Sequence, residues 1–98
     1  MKQMSSKELE QKLANGETVS IIDVREAEEV AQGKIPTAIN IPLSLIEFRT
    51  QDIDKSKEHI IVCRSGARSG QATMFLTTQG FNVINMVGGM LDWEGEVN

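Results

Sequence analysis

Four short runs rich in valine and isoleucine, TVSIIDV (18–24), AINIP (38–42), HIIVC (59–63) and VINMV (83–87), alternate along this chain with segments of helical character. β-Branched residues in runs this short read as strands. The intervening segments are EAEEVAQ (26–32), which ends at Gly33; LSLIEFR (43–49); SGQATMFLTTQ (69–79), which ends at Gly80; and a tail that begins GGMLDW. Strands joined through helices run parallel, so the pattern predicts an α/β fold: a mostly parallel sheet with helices on its faces. The residues before Ser5 offer a weak fifth strand. A first helix follows, with Ser5 and Glu8 as a capping box, Met4 and Leu9 as a hydrophobic staple, Leu9 and Leu13 on one face, and Gly16 as the stop. The polar stretch FRTQDIDKSKE (48–58) reads as a long surface connection. With 98 residues there is material for one core and no more, so residues 1–98 form a single domain.

Charge narrows the function. A formal net charge of -4, with no basic stripe or arginine-rich tail, excludes a nucleic-acid or anionic-membrane surface. The leading segment MKQMSSKELEQKLANGE lacks an apolar run suited to a signal peptide, and no run elsewhere approaches a membrane span; a cytoplasmic protein is expected. One cysteine and one histidine allow neither an internal disulfide nor a zinc cluster, and no cofactor is expected. His59 precedes Cys63 by four residues on the same strand, roughly 13 Å at ~3.3 Å per residue. It is too distant to act as a base and reads as a strand-start residue.

The one thiol has a specific address, the carboxyl end of a central strand just before the turn into a helix whose Ala72, Phe75 and Leu76 face the sheet. Open α/β sheets bind ligands at that edge. In CRSGARS (63–69), Gly66 can adopt backbone angles that other residues avoid, so successive N–H groups can curl about one point as an anion nest, reinforced by the helix N-terminus. A thiol in that nest, flanked by Arg64 and Arg68, ionises readily and becomes a nucleophile. A cysteine used only for core packing would need neither a glycine-arched turn nor two arginines.

CRSGAR (63–68) resembles the six-residue active-site loop of single-domain rhodaneses, a sulfurtransferase family. IIDVRE (21–26), GKIPTAINIP (33–42) and GFNVINMVGGMLDW (80–93) are similar to the family's other signatures in order and spacing, so the likeness covers nearly the whole chain. Lys34, where the family often has histidine, and Thr37, where it often has glycine, depart from the pattern. The resemblance implies a rhodanese-like domain with about five strands, Cys63 as the catalytic nucleophile, and a substrate-binding cradle of backbone amides from Arg64, Ser65, Gly66, Ala67 and Arg68. It implies a thiosulfate-like donor, a Cys63 persulfide, and a cyanide or thiol acceptor, the latter including a thioredoxin-like or sulfur-carrier protein. Arg64 is expected to attract the anionic donor. Arg68 either does the same or folds back onto a carboxylate to brace the loop, and its planar fork favours bracing. Ser65 and Ser69 donate to the sulfur or cap the helix, with capping favoured for Ser69. Asp23 and Arg25 read as a salt-bridged strand end, and Trp93 as a core anchor for the last helix.

Two other classes compete. Phosphatases and arsenate reductases of related fold carry five residues between cysteine and arginine, whereas Arg64, Ser65, Gly66 and Ala67 make four here. Non-catalytic binding modules on this fold tend to lack the cysteine, which this chain keeps.

Overall fold

The computed structural model describes residues 1–98. Five parallel strands, β1 (Gln3–Ser5), β2 (Ser20–Asp23), β3 (Ile39–Asn40), β4 (Glu58–Val62) and β5 (Asn82–Val87), lie side by side in the order β1-β5-β4-β2-β3. Parallel pairing brings every carboxyl end to one edge, with Asp23 in register with Val62 on one side and Asn40 on the other. Three helices flank the sheet: α1 (Ser6–Ala14), α2 (Ala27–Ala31) and α3 (Ala67–Thr78).

Strand periodicity divides the core into two. Ile22, Ile61 and Val83 face one side with Cys63 and with Ala72 and Leu76 of α3, while Ile21, Ile60, Val62 and Ile84 face the other with Leu9 of α1. Successive side chains alternate across a strand, so the two-residue step from Ile61 fixes Cys63 on the α3 side. The N-terminus of α1 is built as its sequence indicates: the Ser5 hydroxyl accepts from the Glu8 N–H at 3.1 Å, and Glu8 closes the reciprocal half of the box.

The residues before Ser5 form the weak fifth strand expected of them, because β1 adds to the free side of β5 with Met4 opposite Met86. Other segments differ from their sequence pattern. Residues 38–42 shrink to the two-residue edge strand β3; Ile41 and Leu43 still donate to the Asp23 and Val24 carbonyls, and the chain then turns into a 3-10 helix at Leu43. Residues 43–49 form a 3-10 helix over Leu43–Phe48 that buries only Ile46, too little apolar surface to hold a longer α-helical stripe. The tail helix is a single 3-10 turn, Gly89–Asp92, because Gly88 and Gly89 both have positive φ (82° and 56°). Trp93 is half-buried against the α1-side core and donates from its indole to the Glu96 carbonyl at 3.0 Å. No helix is long and apolar enough to cross a membrane.

Thr37 carries a φ of 74°, the one non-glycine residue in the left-handed region, and its side chain is exposed. A β-branched residue is unfavourable there by about 1–2 kcal/mol, partly offset by the greater unfolded-state entropy of glycine. Thr37→Gly is therefore expected to stabilise the protein by about 0.5–1 kcal/mol, read as a rise in the urea midpoint at constant slope. A lowered midpoint would show that the threonine makes a compensating contact.

Candidate active site

Cys63 follows the last residue of β4 and is fully buried, whereas Arg64, Ser65 and Ala67 of the same turn are exposed. Gly66 has a φ of 103° and serves as the N-cap of α3, so the chain turns into its helix at Ala67. This corrects the capping role expected of Ser69. Ser69 lies inside the first turn, fully buried, with its hydroxyl directed at the sulfur and at Asn85. The left-handed glycine starts the helix two residues before that serine.

The turn is held from behind by the residues after β5. The Cys63 carbonyl accepts from the Met90 N–H at 2.9 Å and the Arg64 carbonyl from the Leu91 N–H at 3.0 Å. A Cβ on Gly89 would collide with both of those carbonyls, and one on Gly66 would come within 3.2 Å of the Gly88 nitrogen. The two backbones approach this closely because neither carries a side chain at the contact. Anchored carbonyls on the outside leave the turn's N–H groups for the inside, and the Gly66 N–H donates to Cys63 Sγ at 3.0 Å.

Burial pushes the Cys63 thiol up. Hydrogen bonds from the Ser69 hydroxyl and from the backbone N–H groups of Ser69, Gly66 and Ser65 outweigh it and bring the thiol below its ordinary value. Of these amides the Gly66 N–H stands within hydrogen-bonding distance of the sulfur, at 3.0 Å.

The two arginines have different surroundings. Arg68 donates through both terminal nitrogens to the Glu29 carboxylate, at 2.6 and 2.8 Å, in the bidentate geometry that suits a brace. Glu29 also accepts the Glu26 N–H at the start of α2, so one carboxylate ties the active-site turn to a five-residue helix too short to persist alone. Arg64 is exposed and has no carboxylate within ion-pairing distance. Arg25 makes a buried ion pair with Asp23 at 2.8 Å and donates to the Gly33 carbonyl, which fixes the neighbouring strand end. His59 is buried at the opposite end of β4, between the Ser20 hydroxyl and the Asp54 carbonyl, and takes no part in the site.

Glu29, Asn85 and Gly89 belong to this site although the sequence did not single them out. Asn85, buried on β5, accepts from the Ser69 hydroxyl and donates to the Gly66 carbonyl at 3.3 Å.

The Arg68 hydrogen bonds, followed by the Glu26 N–H, lower the Glu29 carboxyl from 4.5 to about 2. A depressed carboxyl adds stability that is complete above its unfolded value and is lost as pH falls through the folded one. Glu29→Gln is expected to abolish this component, flattening the fall in urea midpoint between pH 4.5 and about 2. An unchanged acid profile in the variant would mean the pair contributes nothing to folding.

The rhodanese-like domain family model matches residues 5–96. The chain belongs to the rhodanese-like family. A Bacillus subtilis protein named "Putative sulfurtransferase YtwF" is 44% identical over 96 residues, which cover 98% of this rhodanese-like chain and 93% of the relative. An Allochromatium vinosum protein named "Sulfurtransferase" is 44% identical over 92 residues, covering 93% and 86% of the two chains. The crystal structure of a rhodanese-like domain protein from Staphylococcus aureus superposes with a TM-score of 0.94 at 36% identity, covering 100% of this chain and 97% of that one. These likenesses group the rhodanese-like chain with sulfurtransferases and match its five-stranded parallel sheet.

Proposed function

We propose that the protein is a thiosulfate-type sulfurtransferase working through a persulfide on Cys63. The observation that supports this reading is the turn after Cys63, in which the Gly66 N–H donates to the sulfur, the thiol is lowered by its hydrogen bonds, and Arg68 is occupied by Glu29. The Cys63 thiolate attacks the outer sulfur of thiosulfate. A new S–S bond forms to Cys63, the old S–S bond breaks, and sulfite departs with its electron pair, leaving a persulfide anion. Fixed N–H dipoles from Ser65, Gly66 and Ser69 stabilise that charge without reorganising, by the logic of an oxyanion hole. An acceptor thiolate or cyanide then attacks the outer sulfur and restores the Cys63 thiolate. The acceptor class includes small thiols and thioredoxin-like or sulfur-carrier proteins, and neither half-reaction requires a cofactor. Ala67 lends only its backbone to the turn.

Intact mass spectrometry after incubation with thiosulfate tests the first half-reaction: the protein should gain the mass of one sulfur atom, reversible by reductant. Cyanide, glutathione and thioredoxin, offered in turn, then rank the acceptors. Absence of the adduct from wild-type protein would overturn the proposal.

Arg64, the exposed and unpaired arginine of the turn, steers the anionic donor from solvent. Arg64→Ala should lower the rate of persulfide formation about tenfold at low ionic strength and flatten its salt dependence. Transfer from preformed persulfide to a neutral acceptor should change much less. Equal losses in both half-reactions would instead make Arg64 an organiser of the loop.

A further inference from the structure

The Ser69 hydroxyl has one proton and two neighbours that want it. With Cys63 as a thiol, Sγ donates to Ser69 Oγ at 3.3 Å and Ser69 passes its own proton to Asn85 Oδ1. The Asn85 amide cannot turn over freely, because its nitrogen donates to the Gly66 carbonyl at 3.3 Å, which presents the oxygen to Ser69. Once the sulfur has lost its proton it becomes an acceptor, and the Ser69 O–H can serve it only by leaving Asn85.

We propose that Asn85 is a positioning residue for the nucleophile: it competes with the Cys63 sulfur for the Ser69 proton and thereby sets how readily Cys63 ionises. In the thiol state the chain runs Cys63 to Ser69 to Asn85. In the thiolate state Ser69 rotates, its proton turns to the sulfur, and the Asn85 oxygen is left without its donor inside the core. The Cys63 proton goes to solvent; the Ser69 proton never leaves its oxygen. Persulfide formation moves the negative charge to the outer sulfur, so the inner sulfur accepts more weakly and Ser69 returns to Asn85. The hydroxyl thus follows the state of the reaction.

The site offers few other groups to confuse a titration. The charged groups on the elements packed against the turn are Arg64 in the turn itself, Arg68 of α3 paired with Glu29 of α2, Glu26 beside that pair, the buried Asp23–Arg25 pair at the end of β2, and Asp92 on the 3-10 turn after β5. The core cluster that includes Cys63 is otherwise apolar, and Ser65, Ser69 and Asn85 are the uncharged polar residues that act on the sulfur or hold its turn.

Asn85 acts on Cys63 by two routes, through Ser69 and through the Gly66 carbonyl, and a double-mutant cycle separates them. Asn85→Leu in wild-type protein frees the Ser69 proton for the thiolate but loosens the turn. In a Ser69→Ala background the same change only loosens the turn. The Cys63 pKa, read from the pH dependence of alkylation by iodoacetamide, should therefore respond to Asn85→Leu more favourably toward the thiolate when Ser69 is present, with a difference of roughly one pH unit between backgrounds. Equal responses in both would overturn the proposal and leave Asn85 with a loop-holding role.

A second measurement requires no variant. In wild-type protein the side-chain NH2 resonances of Asn85 should shift with the same midpoint as Cys63 alkylation, because the amide loses its Ser69 donor in that step. Resonances that stay fixed through the titration would also overturn it. The inference rests on the sulfur-transfer reading only in taking Cys63 as nucleophile. Neither readout involves sulfur transfer, so a protein that formed no persulfide would still give a decisive answer on Asn85.

Discussion

Cys63→Ser should lose sulfur transfer by at least about a thousandfold while the protein remains folded. The loss follows from chemistry: a serine hydroxyl neither ionises in this range nor holds a second sulfur, so the proposed intermediate would have no place to form. The retained fold follows from geometry. Cys63 is a fully buried member of the α3-side core, yet its sulfur already meets the Gly66 N–H and the Ser69 hydroxyl, groups that can satisfy an alcohol equally well. The melting temperature should therefore move by only a few degrees, as for a change of about 1 kcal/mol. Turnover with thiosulfate and cyanide, measured beside a thermal melt, checks both halves. Preserved turnover would remove Cys63 from the mechanism, and a collapsed melt would mean the thiol matters chiefly as core.

Lengthening the turn by one glycine between Gly66 and Ala67 should depress persulfide formation about a hundredfold, since a displacement on the order of 1 Å at a catalytic group can have that effect. The insertion falls where Gly66, in its left-handed conformation, hands the chain to α3 and where its carbonyl is held by Gly70 and Asn85. Amides before the insertion would stay clamped through Met90 and Leu91, while Ser69 would move with the helix. The two sets of donors would then no longer share one focus. The wider turn approaches the length found in phosphatases and arsenate reductases, and weak phosphate or arsenate binding is an expected side effect. Wild-type protein should hydrolyse no aryl phosphate: with four residues between Cys63 and Arg68, the turn is expected to hold one sulfur above the thiolate and to crowd the oxygens of a tetrahedral anion. Undiminished transfer in the insertion variant, or substantial wild-type phosphatase activity, would contradict the steric argument.

The address of Cys63 was legible because two periodicities meet there. A strand alternates sides and a parallel sheet gathers its carboxyl ends, so a cysteine at the end of HIIVC has little choice of location. The bracing role of Arg68 could be read from its chemistry, but not the identity of its partner. Glu29 is one of several acids in EAEEVAQ, and nothing local distinguishes it from Glu26 or Glu28. Asn85 was hidden for a related reason: within VINMV it looks like a polar break in a strand, and its worth appears only when α3 lies across it. Ser69 reads as a cap because hydroxyl residues commonly begin helices, but a glycine with positive φ takes that position first. The β1 strand reads only weakly, because three residues are too few to carry a strand pattern of their own. Its pairing comes from β5, far along the chain. What escaped the sequence was in each case a relation between distant segments.

The clamp on the active-site turn also bears on the order in which this chain can assemble. Its donors, Met90 and Leu91, and its spacer, Gly89, lie well after the cysteine they serve, as does Asn85. A ribosome releases Cys63 before it releases these residues, and non-local contacts form later than local ones because loop closure opposes them. Until β5 has paired with β4, nothing anchors the carbonyls of Cys63 and Arg64, and the amides have no reason to converge. The nascent thiol is therefore an ordinary cysteine, mostly protonated at neutral pH. Alkylation of the urea-unfolded chain should titrate like a model thiol, in contrast to the native protein. Thiolate character arrives with the last strand, so the protein completes its proposed nucleophile only after it has built the walls around it.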